Sequence, residues 1–207
     1  MPDYQIDWVL NDSDYIPAHR YECAYCNSAV ASQIGIHGKA MLPIGRTLPI
    51  ERICICPLCG RPTYIPAMGP QVPAPLPCKP VAHLPPDVQT LFTEARRAVS
   101  AGANTAAVML CRTILMHLAV EQKAPPKTER GKSLTFQYYV DYLVAQNLVP
   151  VGAKPWVDKI RELGNEAVHD LAVMSSGDAK LILEFTTLLL QILYETHGEM
   201  QRRFGAP

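Results

Sequence analysis

The residues with the clearest chemistry are cysteines. Cys23-Ala24-Tyr25-Cys26 and Cys56-Pro57-Leu58-Cys59 are two Cys-x-x-Cys pairs, separated by the 29 residues 27–55. A two-residue gap lets one tight turn present two thiolates. Two such turns supply the four tetrahedral ligands that zinc takes at about 2.3 Å. Gly60, directly after the second pair, frees the turn to take a positive φ. The intervening stretch is long enough for a β-hairpin or a small sheet. The pattern predicts one structural Zn2+ held by Cys23, Cys26, Cys56 and Cys59. Four thiolates close the coordination sphere, whereas a catalytic zinc keeps an open position and usually includes His or carboxylate. His37, between the pairs, is therefore not expected as a ligand. Cys54 lies two residues before Cys56 and shares a strand face with it. It could replace a ligand, but the Cys-x-x-Cys geometry favours Cys56 with Cys59, and contact with the metal stays open. Cys78 and Cys111 read as packing cysteines. Such a ribbon either recognises nucleic acid or a partner, or substitutes metal for the core that about 60 residues cannot build.

The rest of the chain sets the context. It has 207 residues, 48% hydrophobic, with 19 basic and 19 acidic residues and a formal net charge of +0. Whole-molecule charge thus predicts neither nucleic-acid nor membrane binding, although a local basic patch is compatible with it. The N-terminus lacks a basic start followed by an apolar run, so no secretory signal is expected. The most apolar stretch, Leu181 to Tyr194, is interrupted by Glu184, Thr186, Thr187 and Gln191 and falls short of the ~20 residues a bilayer needs. A cytoplasmic protein without membrane partners is the expectation. Clustered Cys-x-x-Cys pairs in that compartment favour metal over disulfides.

Three zones follow: a cysteine-bearing β-rich zone at 1–62, a proline-rich connector at 63–86, and a helical zone at 87–207. Pro66, Pro70, Pro73, Pro75, Pro77, Pro80, Pro85 and Pro86 make the connector extended and semi-rigid, because proline fixes φ and donates no backbone hydrogen bond. A first helix starts at Pro86 or Asp87, with an apolar stripe of Val88, Leu91, Phe92, Ala95 and Val99. Gly102 ends it. A second helix runs from about Asn104 to Gln122. Ser133 is the candidate cap of a third, which carries Leu134, Tyr138, Tyr142 and Leu143. A fourth spans about Lys154 to His169. Ser175 or Ser176 caps a fifth that reaches about Phe204. That last helix is apolar nearly all round between Leu181 and Leu193, which places it at a bundle centre or in a subunit interface. The fold class is mainly α: an antiparallel helical bundle preceded by a small β-rich zinc ribbon.

In the fourth helix, Arg161, Asn165 and His169 recur every four residues, within roughly 80° of one another around the axis. Gly164 inside the helix costs about 1 kcal/mol against Ala, which suggests close approach by another element. With these residues, the stretch from Leu84 to Tyr194 resembles the bacterial domain-of-unknown-function family 4145, grouped with the HEPN superfamily of helical bundles. The resemblance rests on Pro86, on Arg112 in the second helix, and on Arg161, Gly164, Asn165 and His169 before a long apolar helix. An N-terminal zinc ribbon is a familiar companion of such domains. Met116 stands where the family often has an acid. Active HEPN ribonucleases have four to six residues between their Arg and His; here residues 162–168 lie between, and Gly164 occupies the nearest register for the Arg.

The resemblance implies two functions. One is a binding module, in bacterial defence or stress response, that holds nucleic acid or a protein partner. The other is a metal-independent endoribonuclease. There His169, with an unperturbed pKa near ~6.5, would be general acid or base, Arg161 would hold the phosphate, and Asn165 would orient phosphate or imidazole. HEPN enzymes build that site across a dimer, so a homodimer through the last helices is expected. The same residues have ordinary structural uses. His169 suits a helix C-terminus, Arg161 could pair with Glu162, Glu166 or an acid on another helix, and Asn165 could satisfy a buried carbonyl. His117, five residues after Arg112, could face the same cleft but reads rather as a satisfied core or boundary residue; His19, His83 and His197 read as surface or linker residues. Tyr138, Tyr139 and Tyr142 read as core and rim rather than an RNA-stacking platform.

Overall fold

A computed structural model describes residues 6–9, 15–41, 47–128, 131–150, 152–169 and 173–205; within these, the side chains of 6–9, 15, 39–41, 47–50, 154 and 164–169 lie outside the description. The chain forms two compact units, Met1–Leu76 and Pro77–Pro207.

The first unit is an antiparallel sheet of β1 (Ile6–Val9), β2 (Tyr15–Glu22), β3 (Ala29–Met41), β4 (Thr47–Ile55) and β5 (Pro62–Ile65). The long strand β3 organises it. Its N-terminal half pairs with β2, Glu22 opposite Ala29. Its C-terminal half lies between β1 and β4, with Val9 and Arg52 both opposite His37. The exchange of partners happens at Gly35, where the backbone has φ 149° and a Cβ would sit 1.9 Å from the Ile53 carbonyl oxygen. Only glycine fits there. β5 then pairs with β4, placing Thr63 opposite Cys54. The stretch between the Cys-x-x-Cys pairs is thus the β3–β4 hairpin that its length allows.

The proline-rich stretch is shared by the two units. Tyr64 and Val72 exchange backbone hydrogen bonds of 2.9 and 2.8 Å, and the Gln71 amide donates to the Glu22 carbonyl at 2.7 Å. Beyond residue 76, the buried Arg96 guanidinium donates to the carbonyls of Pro77 (2.9 Å) and Cys78 (2.6 Å), and Val81 enters the helical core.

The second unit consists of α1 (Pro86–Ser100), α2 (Asn104–Glu121), α3 (Phe136–Ala145), α4 (Lys154–His169) and α5 (Ser176–Leu190), the last continuing through a π-helical segment (Gln191–Thr196) into α6 (His197–Phe204). Pro86 opens α1 with Asp87 in its first turn. The turn after α1 passes through Gly102 at φ 74°. The cap of α3 is Thr135, whose side chain accepts from the Tyr138 N–H, and not Ser133. Ser133 is instead bridged to Lys127, closing the preceding loop, so Leu134 precedes the helix and packs against the core. Ser175 and Asp178 form a full capping box at the start of α5, each side chain bonding the other's backbone N–H.

The helix α2 packs against α1, α3, α4 and α5. Cys111, Leu115 and Leu118 of α2 are fully buried, as are Ile182, Leu183, Phe185 and Leu189 of α5. The hydroxyls of Thr186 and Thr187 return to the carbonyls of Ile182 (2.8 Å) and Leu183 (2.7 Å), so they enter the core without orphaned groups. Among the described residues, no helix is long and apolar enough to cross a membrane.

Candidate metal centre

Each Cys-x-x-Cys pair occupies the turn of a hairpin: Cys23 and Cys26 between β2 and β3, Cys56 and Cys59 between β4 and β5. The two turns share one backbone pattern. In the first, Asn27 N donates to the Cys23 carbonyl (2.8 Å) and Cys23 N to the Ser28 carbonyl (3.0 Å). In the second, Gly60 N donates to Cys56 (2.9 Å) and Cys56 N to Arg61 (3.0 Å). The residue after each second cysteine is left-handed, Asn27 at φ 58° and Gly60 at φ 69°. Asn and Gly are the residues that tolerate it.

These turns bring the four sulfurs within 4.8 Å of one another. Cys23 and Cys59 Sγ are 3.6 Å apart, Cys26 and Cys56 Sγ 3.8 Å. Disulfides would require about 2.05 Å. A tetrahedron with metal–sulfur distances of about 2.3 Å has edges of about 3.8 Å, so the spacing fits a metal ion, and the four cysteines could hold one. Cys23 and Cys56 are buried, while Cys26 and Cys59 are partly exposed. Burial pushes the Cys23 thiol up to about 12, against the backbone N–H groups of Cys26 and Tyr25 that face its sulfur. The Ser28 hydroxyl beside Cys26 brings that thiol down to about 7. The buried Ser32 hydroxyl donates to the Ile55 carbonyl (2.6 Å) and accepts from Ile34 N (3.1 Å), tying β3 to the strand that leads into the second turn.

Cys54 and His37 stand outside this group. Cys54 is fully buried in the same small cluster as Tyr21, Cys23 and Cys56, and burial raises its thiol. His37 is buried within β3.

In the helical unit, α4 is one continuous helix from Lys154 to His169, so Arg161, Asn165 and His169 share it as their spacing requires. The side chains of Asn165 and His169, and the surroundings of Gly164 just before them, lie outside the description. Arg161 is described, and its guanidinium is engaged twice. It forms an ion pair with Asp141 of α3, and Nη1 donates to Asp158 at 2.5 Å. Asp158 is three residues upstream on the same helix, a pairing that helical spacing makes readable. Asp141 comes from another helix and has no local signature in the sequence.

Arg112 lies with its guanidinium 5.0 Å from the centre of the Phe136 ring, a cation–π contact. The hydroxyl of Tyr139 donates to the Pro126 carbonyl (3.0 Å) and that of Tyr142 to Gln122 (2.8 Å), fastening α3 to the end of α2. Tyr138 is the rim residue, edge-on to Tyr139. His117 is exposed and lies 3.4 Å from Glu121.

A family model described as "Domain of unknown function (DUF4145)" matches residues 93–204, more than half of the chain. The chain belongs to the DUF4145 family. The DUF4145 match begins within α1 and ends at the last residue of α6, so it takes in Arg112, Asp141, Arg161 and the capping box. The cysteine-bearing unit lies outside it. No curated protein and no solved structure matches the chain.

Proposed function

We propose that this DUF4145 protein is a cytoplasmic, non-catalytic binding module of HEPN-like architecture, with one structural Zn2+ in an N-terminal ribbon, that holds nucleic acid or a protein partner in bacterial defence or stress response. Zinc is the ion that four thiolates with this spacing suit best, and a closed four-thiolate set leaves no position for substrate. The observation that favours binding over catalysis is the state of Arg161. A ribonuclease would need its guanidinium for the phosphate, and here Asp141 and Asp158 engage it. Seven residues between Arg161 and His169 point the same way.

The surface that the ribbon offers lies at its two turns. Tyr25 and Leu58 occupy equivalent places, one residue before the second cysteine of each pair, and both are exposed. The Arg61 guanidinium lies 5.1 Å from the Tyr25 ring centre. An aromatic face beside a guanidinium suits an unstacked base. A homodimer through the last helices fits the exposed Met200 and Phe204 of α6.

Two assays on the zinc-loaded full chain test this. Labelled single-stranded RNA should bind with salt-sensitive affinity and lose it in Tyr25→Ala and Arg61→Ala; binding that survives both substitutions removes the ribbon from the interface, and no binding at all leaves the protein partner. RNA incubated in EDTA should stay intact. Cleavage to 2′,3′-cyclic phosphates that disappears in His169→Ala would replace this reading with the endoribonuclease of Arg161, Asn165 and His169.

A further inference from the structure

The chain from Ser176 to Phe204 runs as one helix through α5, the π-helical segment and α6. Along it, Leu188, Ile192, Thr196, Met200 and Phe204 recur at every fourth position. In a regular α-helix a four-residue step overshoots a full turn by about 40°, so such a stripe winds off its face. The π-helical segment Gln191–Thr196 lies in the middle of the stripe, and its i→i+5 bonds turn the chain less per residue. Part of the overshoot is taken back, and all five residues line one open groove of about 550 Å3. Met200 and Phe204 are 56% and 81% exposed. The opposite face of α6 is occupied. Gly198 is about 200° round the axis from Met200, and a Cβ there would lie 2.6 Å from the His83 ring of the connector.

Two charged residues in the groove complement each other. Glu195 lines it, and its Oε2 is shut off from solvent with no hydrogen bond to a described group. Such a carboxylate is less well solvated than an exposed one. Arg203, eight residues on, has a side chain 68% exposed. Its Nε lies 3.6 Å from Glu199, whereas Arg202 holds that same carboxylate at 2.7 Å. Glu199 therefore keeps a cation when Arg203 turns to another acid.

We propose that this groove is a two-fold interface with a second copy of the chain, the two helices running antiparallel about an axis at Glu199. This rests on the homodimer reading above and names its contacts. An axis there sets Glu195 opposite the partner's Arg203 and, by symmetry, Arg203 opposite the partner's Glu195. Phe204 then falls between the partner's Thr196 and the partner's Ile192, and Met200 falls beside the partner's Met200. The two four-residue ridges interdigitate over an overlap of about 20 Å. An axis at Thr196, the centre of the stripe, would instead gather Glu195 and Glu199 of both copies, and like charges oppose that register. Acid–base pairing thus selects the axis at Glu199, and the apolar stripe supplies the contact.

The test is sedimentation velocity of the full chain over a concentration series, with circular dichroism as the folding control. Wild type should be a dimer. Arg203→Glu should weaken it about tenfold or more, and Phe204→Asp should leave monomer where wild type is fully dimeric. Both residues are exposed, so these two variants keep the fold. Glu195→Lys combined with Arg203→Glu should regain most of the lost affinity, which a role within one chain would not produce. A folded double variant that regains nothing overturns the Glu195–Arg203 pairing and the register with it. A dimer indifferent to Arg203→Glu and Phe204→Asp overturns this interface and leaves the homodimer to another surface. A wild-type chain that stays monomeric at the highest concentration overturns the interface and the homodimer together, and the RNA assays on the ribbon are independent of both.

Discussion

Among the described residues from Pro77 onward, 27 buried apolar residues form one continuous core. In the first unit the described core is a cluster of six, and three of those are Cys23, Cys54 and Cys56. The helical unit has enough apolar surface to hold itself together, since α1 to α5 each contribute buried side chains to a shared interior. The sheet does not. Its long strand β3 exchanges partners at Gly35, and what joins the two hairpin ends is the cluster of four sulfurs. A small unit gains most from a crosslink, and a metal bound by thiolates supplies free energy of folding directly.

The largest expected effect removes that crosslink. Cys56→Ser should abolish metal binding and unfold the first unit, a loss on the scale of the about 10–16 kcal/mol that a structural zinc supplies. The helical circular dichroism and the amide protection of α2 and α5 should persist. Collapse of the helices as well would break the comparison, because the units would then share their stability.

The converse substitution is in the helical core. Phe185 is fully buried and meets Trp156 edge-on, with ring centres 5.3 Å apart. Phe185→Ala should cost about 3–5 kcal/mol, read as a lower denaturation midpoint for the helices, with metal stoichiometry unchanged. Smaller again is the cap of α5: Ser175→Ala removes one side of the box with Asp178 and should cost about 1 kcal/mol. Asp141→Asn, which weakens one of the two partly exposed pairs of Arg161, should cost under about 1 kcal/mol.

The smallest effect is electrostatic. The Arg202 hydrogen bond, with Arg203 and His83 nearby, holds the exposed Glu199 carboxyl below its ordinary range. A lowered folded-state pKa stabilises above the ordinary carboxylate range and is lost as pH falls through the lower folded value. The stability difference between wild type and Glu199→Gln, followed by urea titration, should therefore be measurable at pH 7. It should vanish in acid and in high salt.

Much of this was legible in the sequence, for local reasons. The Cys-x-x-Cys turns, Pro86 at the head of α1 and the bounds of α4 depend on residues within a few positions of one another. Ser133 misled because a hydroxyl before an apolar run looks like a cap, whereas its backbone is bridged to Lys127 and the role passes to Thr135. The π-helical segment at Gln191–Thr196 has no signature in a stretch whose apolar residues suit an ordinary helix. Asp141 meets Arg161 from twenty residues away, a contact that only packing of α3 on α4 creates. Cys54 could be placed on the right face by alternation, but its position outside the four-sulfur group needed the turns themselves.

The most direct test of the central claim is native mass spectrometry of the purified full chain, before and after alkylation of accessible thiols. The account predicts the mass of one zinc per chain, with Cys23, Cys26, Cys56 and Cys59 protected until a chelator is added, and no zinc in Cys56→Ser. A folded first unit that carries no metal, or one that holds those cysteines as disulfides, would contradict it.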